Sequence, residues 1–546
     1  MSVDKNFEFE LNSTLFDEEY KKEMRSLSEQ EKTDAYFKKI SFGTAGIRGK
    51  MGVGTNRINK FLIMRISYAY AKYLTELSAK PKCVIAYDSR NRSREYAKIT
   101  AITLASSGVK AYLFDDYSST PELSFAVREL ETTGGVVITA SHNPPEYNGY
   151  KVYSSSGRQV LEDEASKITK YFNETSELSS IDLKNEDALE REGLLNYIGK
   201  DILDKYDEAI MSYLHREHDG KDIKVVYSPL HGVGARGVLT VFSNMGLESV
   251  FPVLSQLEPD GSFPEAKEPN PENESVFEKA KEIGIKNKAD ILIATDPDAD
   301  RVACMVMKDG TYQMISGNEM ALIILDYYTK RFGVNSGNII TSIVSTQAVD
   351  DIAEKNGLNV IRGLTGFKYI GEAMNHMKKK DFVLGFEESY GYLSGFHARD
   401  KDAIITSGLI VEIARFYLKE NKTLLDAVDD VYNKYGYWEE GQLVKKLEGA
   451  EGKKKIDSII KNFRENPLLV LAGKRLVKTI DYLNDETGLP KSNVLKYIYE
   501  DGSWIAIRPS GTEPKLKIYI GVKGRNRKDV ETKYEELVKT IEEIWN

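Results

Sequence analysis

The segment Ile291-Leu-Ile-Ala-Thr-Asp-Pro-Asp-Ala-Asp-Arg301 passes directly from an apolar run into three aspartates at alternate positions. Short apolar runs bounded by turn residues are typical of buried strands in α/β proteins. The same order, strand and then polar loop, recurs at Cys83–Tyr87, Gly135–Thr139, Lys224–Tyr227, Asn338–Ser342 and Phe382–Leu384. Helical patterns such as Arg94–Ser107 and Thr346–Lys355 lie between these runs. We therefore predict an α/β architecture that recurs three times along the chain.

The C-terminal segment has a different pattern. Its strongest signal is a strand at Trp504–Ile507, a loop at Arg508–Pro514 and a second strand at Leu516–Val522. A charged helix, Arg527–Trp545, follows. This pattern predicts a smaller α+β domain after the three α/β units.

Three stretches are predicted to join the domains: the acidic stretch Asp182–Lys205, the turn Asp309–Gly317, and the region near Tyr435–Glu440. The length of 546 residues agrees with this division, since domains of roughly 100–200 residues give about three to five of them. We place the four domains at residues 1–205, 206–315, 316–436 and 437–546, the first with an N-terminal helical extension.

Composition narrows the class of protein. Hydrophobic residues make up 41% of the chain and charged residues 29%, which is a globular balance. The formal net charge is −9 (75 basic against 84 acidic residues), which disfavours binding to nucleic acid or to an anionic membrane. Cys83 and Cys304 are expected to be buried free thiols. The polar start and the lack of a long apolar run predict a soluble, cytoplasmic protein.

The first candidate loop is Thr139-Ala-Ser-His-Asn-Pro-Pro-Glu-Tyr-Asn-Gly-Tyr-Lys151. Its two prolines and small residues are expected to hold Ser141 exposed, where a serine can act as a nucleophile or carry a phosphoryl group. Neighbours on an extended loop usually point apart, so we do not expect Ser141 and His142 to form a local pair. A Ser/Asn/Pro turn without a catalytic role is the alternative.

The second loop carries Asp296, Asp298 and Asp300 directly after a strand. In an extended loop this spacing can aim several oxygens at one point, which suits a hard cation such as Mg²⁺. The loop lacks the glycine and distal glutamate of an EF-hand, and a solvated acidic turn is the alternative. Arg301 could offset one of the charges or bind a phosphate. By contrast, Asn270-Pro-Glu272 suggests a shaped loop without chemistry of its own.

The third loop is Gly385-Phe-Glu-Glu-Ser-Tyr-Gly391, followed by His397-Ala-Arg-Asp-Lys-Asp402. Carboxylates and a hydroxyl at the end of a strand suit the recognition of sugar hydroxyls. Lys401 could act as a general acid or base if a closed cleft lowers its pKa. A charged surface loop is an equally good interpretation of this segment alone.

The fourth loop is Arg508-Pro-Ser-Gly-Thr-Glu-Pro-Lys515. A guanidinium matches phosphate oxygens, the hydroxyls add donors, and Gly511 lets amide N–H groups approach an anion. A plain hairpin turn is the alternative. Together, the four loops predict phosphoryl transfer on a phosphorylated sugar, with a metal stabilising charge and one loop holding a phosphate that does not react.

In their order and in the identity of their residues, these four motifs resemble those of the α-D-phosphohexomutases. This superfamily contains the phosphoglucomutases and phosphomannomutases. The resemblance covers roughly residues 40–525. It implies three similar mixed-sheet α/β domains and a smaller C-terminal α+β domain around a central cleft, with the phosphoserine, the metal, the sugar and the phosphate on successive domains. We also expect the last domain to rotate as a lid, because a bisphosphate intermediate must reorient without escaping.

The resemblance further assigns roles to individual residues. Ser141 would carry the phosphoryl group, and Asp296, Asp298 and Asp300 would bind Mg²⁺ together with an oxygen of the phosphoserine. Lys401 is the implied acid/base. The residues implied around the reacting phosphate are Arg48, His142, Lys151 and Arg301. The remaining substrate-binding residues implied are Thr365, Gly366, Glu387, Ser389, Arg508, Ser510, Gly511 and Thr512.

The implied reaction has two phosphoryl transfers. The phosphoserine phosphorylates a hexose monophosphate, the resulting glucose 1,6-bisphosphate turns over in the cleft, and its other phosphate rephosphorylates Ser141. This predicts a phosphoglucomutase that acts on a sugar phosphate as a monomer or homodimer, with the bisphosphate as activator.

Some positions depart from the family pattern. Pro297 stands where glycine is usual, and the segment after Lys401 ends in Asp402-Ala403 instead of Asp-Gly. Phe386 and Tyr390 resemble the bacterial α-phosphoglucomutases and the phosphopentomutase-type relatives. Mannose or pentose phosphate substrates therefore stay open, as does a Mg²⁺-dependent sugar phosphatase or a non-enzymatic sugar-phosphate-binding module.

Overall fold

The computed structural model describes residues 3–43, 46–175, 181–214, 223–447, 449–471, 473–509 and 515–545. The chain forms two compact units. One contains Met1–Ile315 and Phe367–Thr423, and the other contains Ser316–Gly366 and Leu424–Asn546. Within the described ranges, no helix has the length and apolar character needed to cross a membrane.

An N-terminal extension of three helices begins the first unit: α1 (Val3–Asn12), α2 (Glu18–Arg25) and α3 (Glu29–Tyr36). Ser28 and Glu31 form a capping box that fixes the start of α3. The buried Glu10 carboxylate accepts hydrogen bonds from the hydroxyls of Tyr20, at 3.0 Å, and Tyr36, at 2.8 Å. These bonds satisfy a carboxylate that burial would otherwise destabilise, and so they hold the three helices together.

The first sheet has six strands in the order β1-β5-β4-β2-β3-β6. Its strands are β1 (Gly46–Lys50), β2 (Lys82–Tyr87), β3 (Lys110–Phe114), β4 (Gly134–Ile138), β5 (Tyr147–Ser154) and β6 (Leu195–Ile198). Strands β4, β2, β3 and β6 run parallel, and β5 is antiparallel to both of its neighbours. Its helices are α4 (Lys60–Leu77), α5 (Ser93–Ser106), α6 (Thr120–Glu129), α7 (Glu162–Glu174), α8 (Glu186–Arg191) and α9 (Lys200–Met211).

The stretch Asp182–Lys205, predicted as an acidic, helical joint, also contributes a strand to the first sheet. Strand β6 lies inside this stretch and pairs in parallel with β3, from Ala111–Leu195 to Phe114–Ile198. The acidic residues that suggested a linker lie mostly on the exposed faces of the flanking helices α8 and α9. Their charge concealed a four-residue strand whose first residue, Leu195, is buried in the core.

The second sheet has the order β11-β10-β9-β7-β8. Its strands are β7 (Val225–Ser228), β8 (Val250–Pro252), β9 (Ile291–Thr295), β10 (Val302–Lys308) and β11 (Thr311–Ile315), with helices α10 (Ala235–Asn244), α11 (Leu254–Leu257) and α12 (Glu278–Asn287) and the 3₁₀ turn Glu274–Phe277. The predicted joint Asp309–Gly317 contains a two-residue hairpin turn, Asp309-Gly310, with positive φ at both residues. Strand β11 therefore belongs to this sheet, and the division between the compact units comes after Ile315.

The second unit begins with α13 (Gly317–Phe332), β12 (Asn338–Ser342), α14 (Ala348–Asn356) and β13 (Asn359–Gly363). Strands β12 and β13 are parallel, as a strand–helix–strand crossover requires. The chain then returns to the first unit with α15 (Phe367–Asn375), the 3₁₀ turn Lys379–Asp381, β14 (Phe382–Glu387), β15 (Gly391–Leu393) and α16 (Ala403–Leu418).

The rest of the second unit begins with α17 (Leu424–Tyr435). It then forms a six-stranded antiparallel sheet in the order β16-β21-β20-β19-β18-β17. Its strands are β16 (Tyr437–Lys446), β17 (Val470–Leu471), β18 (Lys474–Asp481), β19 (Leu495–Tyr499), β20 (Trp504–Pro509) and β21 (Lys515–Gly524), with helices α18 (Gly449–Glu465) and α19 (Arg527–Trp545). Strand β16 begins inside the predicted joint Tyr435–Glu440. The two predicted strands of the tail and its closing helix are confirmed, whereas residues 510–514 of the predicted loop lie outside the described residues.

Candidate active site

The loop after β9 is built around a tight turn. The N–H of Ala299 donates to the carbonyl of Asp296 at 3.0 Å, and Ala299 has φ +51°. Pro297 therefore stands at the second position of the turn, where its fixed φ is favoured. The Oδ1 atom of Asp296 accepts the N–H groups of Asp300 and Arg301 at 3.0 and 2.9 Å. This closed loop turns all three aspartates toward one place.

Asp296, Asp298 and Asp300 are buried, and one carboxylate oxygen of each lies within 4.8 Å of the others. The Oδ1 atoms of Asp298 and Asp300 are buried without a hydrogen-bond partner among the described residues. Burial, and then repulsion from the other two aspartates, raises the pKa of Asp296 well above its usual value. Three crowded carboxylates with two unsatisfied oxygens are the donor set that a hard divalent cation requires, so the residues fit a metal site.

Ser141 follows β4 and reaches this cluster. Its hydroxyl donates to Asp296 Oδ2 at 2.8 Å, and its backbone has φ +50°. Ser141 is only 3% exposed, so the prediction of an exposed serine is wrong. The aspartate loop, 155 positions away along the chain, covers it.

The expectation that Ser141 and His142 point apart is also wrong. The left-handed backbone at Ser141 curls the loop, and Ser141 Oγ lies 3.2 Å from His142 Nδ1. Burial, and then the charges of Arg301 and Arg48, hold the pKa of His142 well below its usual value. His142 is therefore neutral at pH 7 and has a nitrogen that can accept a proton.

Two lysines neutralise the aspartates. Lys151 Nζ, from β5, lies 2.7 Å from Asp298 Oδ2 and 3.4 Å from Asp300 Oδ2. Lys401 Nζ lies 3.1 Å from both Asp300 Oδ2 and Asp400 Oδ1. Burial lowers the pKa of Lys401, but the carboxylates of Asp300, Asp400 and Glu387 outweigh burial and raise it. The lowered pKa on which the predicted acid/base role depended is thus not found, and Lys401 is charged.

The segment Gly385–Gly391, at the end of β14, lies beside the aspartate loop, Asp296–Arg301. The N–H of Val302, directly after Arg301, donates to the carbonyl of Tyr390 at 3.1 Å. Glu387 is the buried last residue of β14, which runs three residues beyond its predicted end, and Ser389 is half-buried in the turn that follows. Two neighbouring loops therefore bring the carboxylate of Glu387 and the aspartate cluster into one region.

Arg301 is held by a residue for which we predicted no chemistry. Its Nη1 forms an ion pair with Glu272, and its Nε lies 3.9 Å from Asp300 Oδ1. The segment Asn270-Pro-Glu272, interpreted as a shaped loop without chemistry of its own, thus supplies the ion-pair partner of Arg301. Arg48, on β1, donates to the side chain of Asn143 at 2.8 Å. It therefore lies against the loop Thr139–Lys151, which we call the serine loop.

Sequence reasoning missed two residues in contact with this region. Thr120, at the start of α6, donates its hydroxyl to Asp298 Oδ2 at 2.8 Å and its N–H to the Asp298 carbonyl at 3.0 Å. Arg90, three residues after the end of β2, donates to the carbonyl of Ser141. Thr120 carried no signal, whereas Arg90 ends an Asp-Ser-Arg segment that follows a strand and could have been noticed.

The remaining predicted residues are not part of the first compact unit. Thr365, Gly366 and Arg508 belong to the second compact unit. Thr365 Oγ1 is buried without a hydrogen-bond partner among the described residues, and Arg508 is half-buried near the end of β20. Ser510, Gly511 and Thr512 lie outside the described residues.

Cys83 and Cys304 are both buried and free, as predicted. Burial raises the pKa of both thiols, so neither is a nucleophile at neutral pH.

The chain matches known protein families over most of its length. Four consecutive family descriptions match the chain: phosphoglucomutase/phosphomannomutase alpha/beta/alpha domain I at residues 39–179, domain II at 204–310, domain III at 316–435, and the C-terminal domain at 418–532. Three α/β domains and a C-terminal domain confirm the predicted fold class.

Curated relatives match over nearly the whole length. A phosphoglucomutase of Staphylococcus aureus (strain MSSA476) is 36% identical over 529 residues, which cover 94% of each chain. A phosphoglucomutase of Staphylococcus epidermidis (strain ATCC 12228) is 37% identical over 498 residues, or 88% of this chain and 90% of the relative.

Solved structures share the fold. A phosphoglucomutase from Paramecium, pp63/parafusin, matches with a TM-score of 0.70 at 19% identity and covers 93% of this chain and 95% of its own. A family protein from Burkholderia thailandensis matches with a TM-score of 0.69 at 17% identity, over 92% and 96%. The four family matches and the staphylococcal relatives confirm the resemblance drawn from four sequence motifs, and the chain belongs to the phosphoglucomutase/phosphomannomutase family.

Proposed function

We propose that this protein is a phosphoglucomutase, which interconverts α-D-glucose 1-phosphate and glucose 6-phosphate through a phosphoserine at Ser141. The observation that carries the proposal is the hydrogen bond of 2.8 Å from the Ser141 hydroxyl to Asp296, inside a cluster of three aspartates. A serine placed on a candidate metal site is suited to carry a phosphoryl group. The staphylococcal relatives, named phosphoglucomutases, support the choice of sugar.

Asp296, Asp298 and Asp300 are proposed to hold Mg²⁺ together with an oxygen of the phosphorylated Ser141. When bound, this ion supplies positive charge that stabilises the phosphoryl group during transfer. Lys151 lies on the same aspartates and Arg301 beside them, so the chain adds its own cations on this side of the site. Arg48 and His142 lie against the serine loop and complete the proposed surroundings of the reacting phosphate.

In the proposed second transfer, glucose 1,6-bisphosphate rephosphorylates Ser141, and the raised pKa of Lys401 provides a protonated lysine for this step. The Ser141 hydroxyl loses its proton to Asp296 or to His142, both within hydrogen-bonding distance. Its oxygen forms a bond to phosphorus while the bond from phosphorus to the sugar oxygen breaks. Lys401 donates its proton to that sugar oxygen. The first transfer is the reverse of this step, and it requires Lys401 as the neutral amine, which accepts the proton of the attacking hydroxyl.

Recognition of the sugar and of the second phosphate falls to other residues. Glu387 is proposed to accept hydrogen bonds from sugar hydroxyls, and Ser389 is proposed to accept hydrogen bonds from them or donate hydrogen bonds to them. Arg508 and the segment Ser510–Thr512 are proposed to hold the phosphate that does not react, with Thr365 and Gly366 close to the substrate. In this scheme residues 1–205, 206–315, 316–436 and 437–546 act as four domains, and the central cleft stays a prediction.

The test is a comparison of kcat/KM for glucose 1-phosphate, mannose 1-phosphate, ribose 1-phosphate and deoxyribose 1-phosphate, with Mg²⁺ and a bisphosphate activator present. The glucose substrate is expected to be the best. If another sugar is preferred tenfold or more, about 1.4 kcal/mol in transition-state binding, the choice of glucose is wrong. Release of inorganic phosphate in place of an isomeric product would instead indicate a phosphatase.

A further inference from the structure

One buried arginine outside the proposed catalytic set organises the serine loop. Arg90 is 2% exposed and lies three residues after the end of β2. Its Nη1 donates to the carbonyls of Pro144 at 2.9 Å and Tyr147 at 3.0 Å, and its Nη2 donates to the carbonyls of Ser141 and Asn143. A single guanidinium thus binds four carbonyls of the loop that begins at Ser141.

The guanidinium is itself fixed from two sides. Its Nε lies 3.3 Å from Asp88 Oδ2, and Asp88 Oδ1 accepts the Arg90 N–H at 3.0 Å and the Ser93 hydroxyl at 2.7 Å. The face of the guanidinium stacks on the ring of Phe263, with 4.9 Å between Cζ and the ring centroid. A cation held at its edge and on its face has a single available orientation.

Phe263 comes from the second sheet region, so Arg90 also connects two parts of the first unit. The backbone of Gly261 approaches so closely that an added Cβ would lie 2.2 Å from the N atom of Asn91. Only glycine fits there. The loop that bears Phe263 is therefore held against the Arg90 segment by the backbone as well as by the stacked ring.

The backbone conformation of Ser141 explains why the loop must be held by these hydrogen bonds. A residue other than glycine at φ +50° is strained by about 1–2 kcal/mol, and such strain persists only where the surroundings fix it. Thr139 Oγ1 accepts the Ser141 N–H at 2.8 Å, and Arg90 binds the Ser141 carbonyl. The peptide groups on both sides of the Ser141 Cα are thereby fixed, and they set the direction of its hydroxyl toward Asp296.

We propose that Arg90 is a positioning residue, which holds Ser141 in the strained conformation that phosphoryl transfer requires. The inference rests on the proposed function, because it assigns to Arg90 the alignment of the phosphoryl carrier. Arg90 acts through backbone carbonyls and does not touch the reacting atoms. Its loss should therefore lower the rate of transfer from a phosphorylated site more than the affinity for substrate.

The test compares Arg90→Lys with Arg415→Lys in the full-length protein. Arg415 is also buried, at 7% exposed, and donates to backbone carbonyls, those of Met245 at 3.0 Å and Gly246 at 3.4 Å, away from the serine loop. Both variants lose a fork of donors to carbonyls, so both are expected to lose thermal stability. The readouts are kcat and KM per phosphorylated Ser141, the phosphate released to water per isomer formed, and the unfolding temperature.

For Arg90→Lys we expect kcat per phosphorylated site to fall about 10- to 100-fold, the effect of a small misalignment of reacting groups. KM should stay near the wild-type value, and the loosened loop should release more phosphate to water per isomer formed. Arg415→Lys should keep both kinetic values. Equal kcat per phosphorylated site in the two variants would overturn the inference.

If Arg90→Lys does not fold, Phe263→Leu replaces it, because this change removes the stacking ring and keeps the hydrogen bonds. It should move the same two readouts in the same direction by a smaller factor, and wild-type values for both would also overturn the inference. Failure of the proposed function has a different result: the wild-type protein itself would not interconvert the two glucose phosphates.

Discussion

Removal of Lys151 should destabilise the protein in a way that Mg²⁺ reverses. Its ammonium lies 2.7 Å from Asp298 Oδ2 and 3.4 Å from Asp300 Oδ2, and the Asp298 side chain is fully buried. In Lys151→Met a chain of similar length replaces the cation. Asp298 then has no ionic partner among the described residues, while Asp300 keeps Lys401.

The size of the effect follows from the geometry. At an effective dielectric constant of about 20, an ion pair at 2.7 Å is worth about 6 kcal/mol before desolvation is subtracted. Removing one partner of a buried pair costs about 3–5 kcal/mol in measured cases. Mg²⁺ at about 100 times its dissociation constant adds about 2.7 kcal/mol to the folded state, and the uncompensated carboxylates of the variant should bind it more tightly.

The assay is thermal unfolding of wild type and variant, each with a chelator and with Mg²⁺. We expect the variant to unfold well below wild type in chelator, and Mg²⁺ to raise its midpoint by more than it raises that of wild type. The matched control is Lys98→Met. Lys98 pairs with Glu186 at the same 2.7 Å but at the surface, so its loss should cost about 0–1 kcal/mol with no dependence on Mg²⁺. An equal Mg²⁺ effect in wild type and Lys151→Met would refute the reasoning.

Three further predictions concern other parts of the molecule. Arg508→Lys keeps the charge but loses the planar fork, so steady-state kinetics should show KM raised about tenfold with kcat little changed. Lys401→Gln should lower kcat by about 10²- to 10⁴-fold without unfolding the protein, and a smaller loss would exclude Lys401 as the acid/base. Burial raises the pKa of Glu440 from 4.5 to about 8, so this group's stabilisation is lost as the pH rises through that interval. Glu440→Gln should therefore raise the unfolding temperature more at pH 9 than at pH 6, and an equal change at both would contradict the assignment.

Local sequence patterns predicted the strands well, because apolar side chains and turn residues report burial directly. The run Asn338–Ser342 is strand β12 without a shift, and Cys83–Tyr87 differs from β2 by one residue. The apolar pattern did not predict a strand where only a few residues formed it. Strand β6 has only four residues between acidic helices, so its signal was weaker than the charge around it.

The candidate site likewise has features that the sequence predicted and features that it did not. The alternate spacing of Asp296, Asp298 and Asp300 is a local feature, and the sequence predicted their cluster correctly. The burial of Ser141 depends on contacts with a loop far away in sequence, and its pairing with His142 depends on one left-handed residue. The Glu272–Arg301 pair is likewise created by the tertiary fold. Spacing along the chain does not encode such contacts.

The central claim is that Ser141 carries the phosphoryl group between the two positions of the sugar. The most direct measurement is the phosphate content of Ser141, by peptide mass spectrometry, after incubation with glucose 1,6-bisphosphate and then with an excess of glucose 1-phosphate. Ser141 should gain one phosphate in the first step. In the second step it should pass that phosphate to the sugar and regain another from the bisphosphate, so its phosphate content should stay at one while glucose 6-phosphate accumulates. Ser141→Ala should gain none. Isomerisation of glucose 1-phosphate at the wild-type rate by Ser141→Ala, or a phosphate found on another residue, would contradict the account.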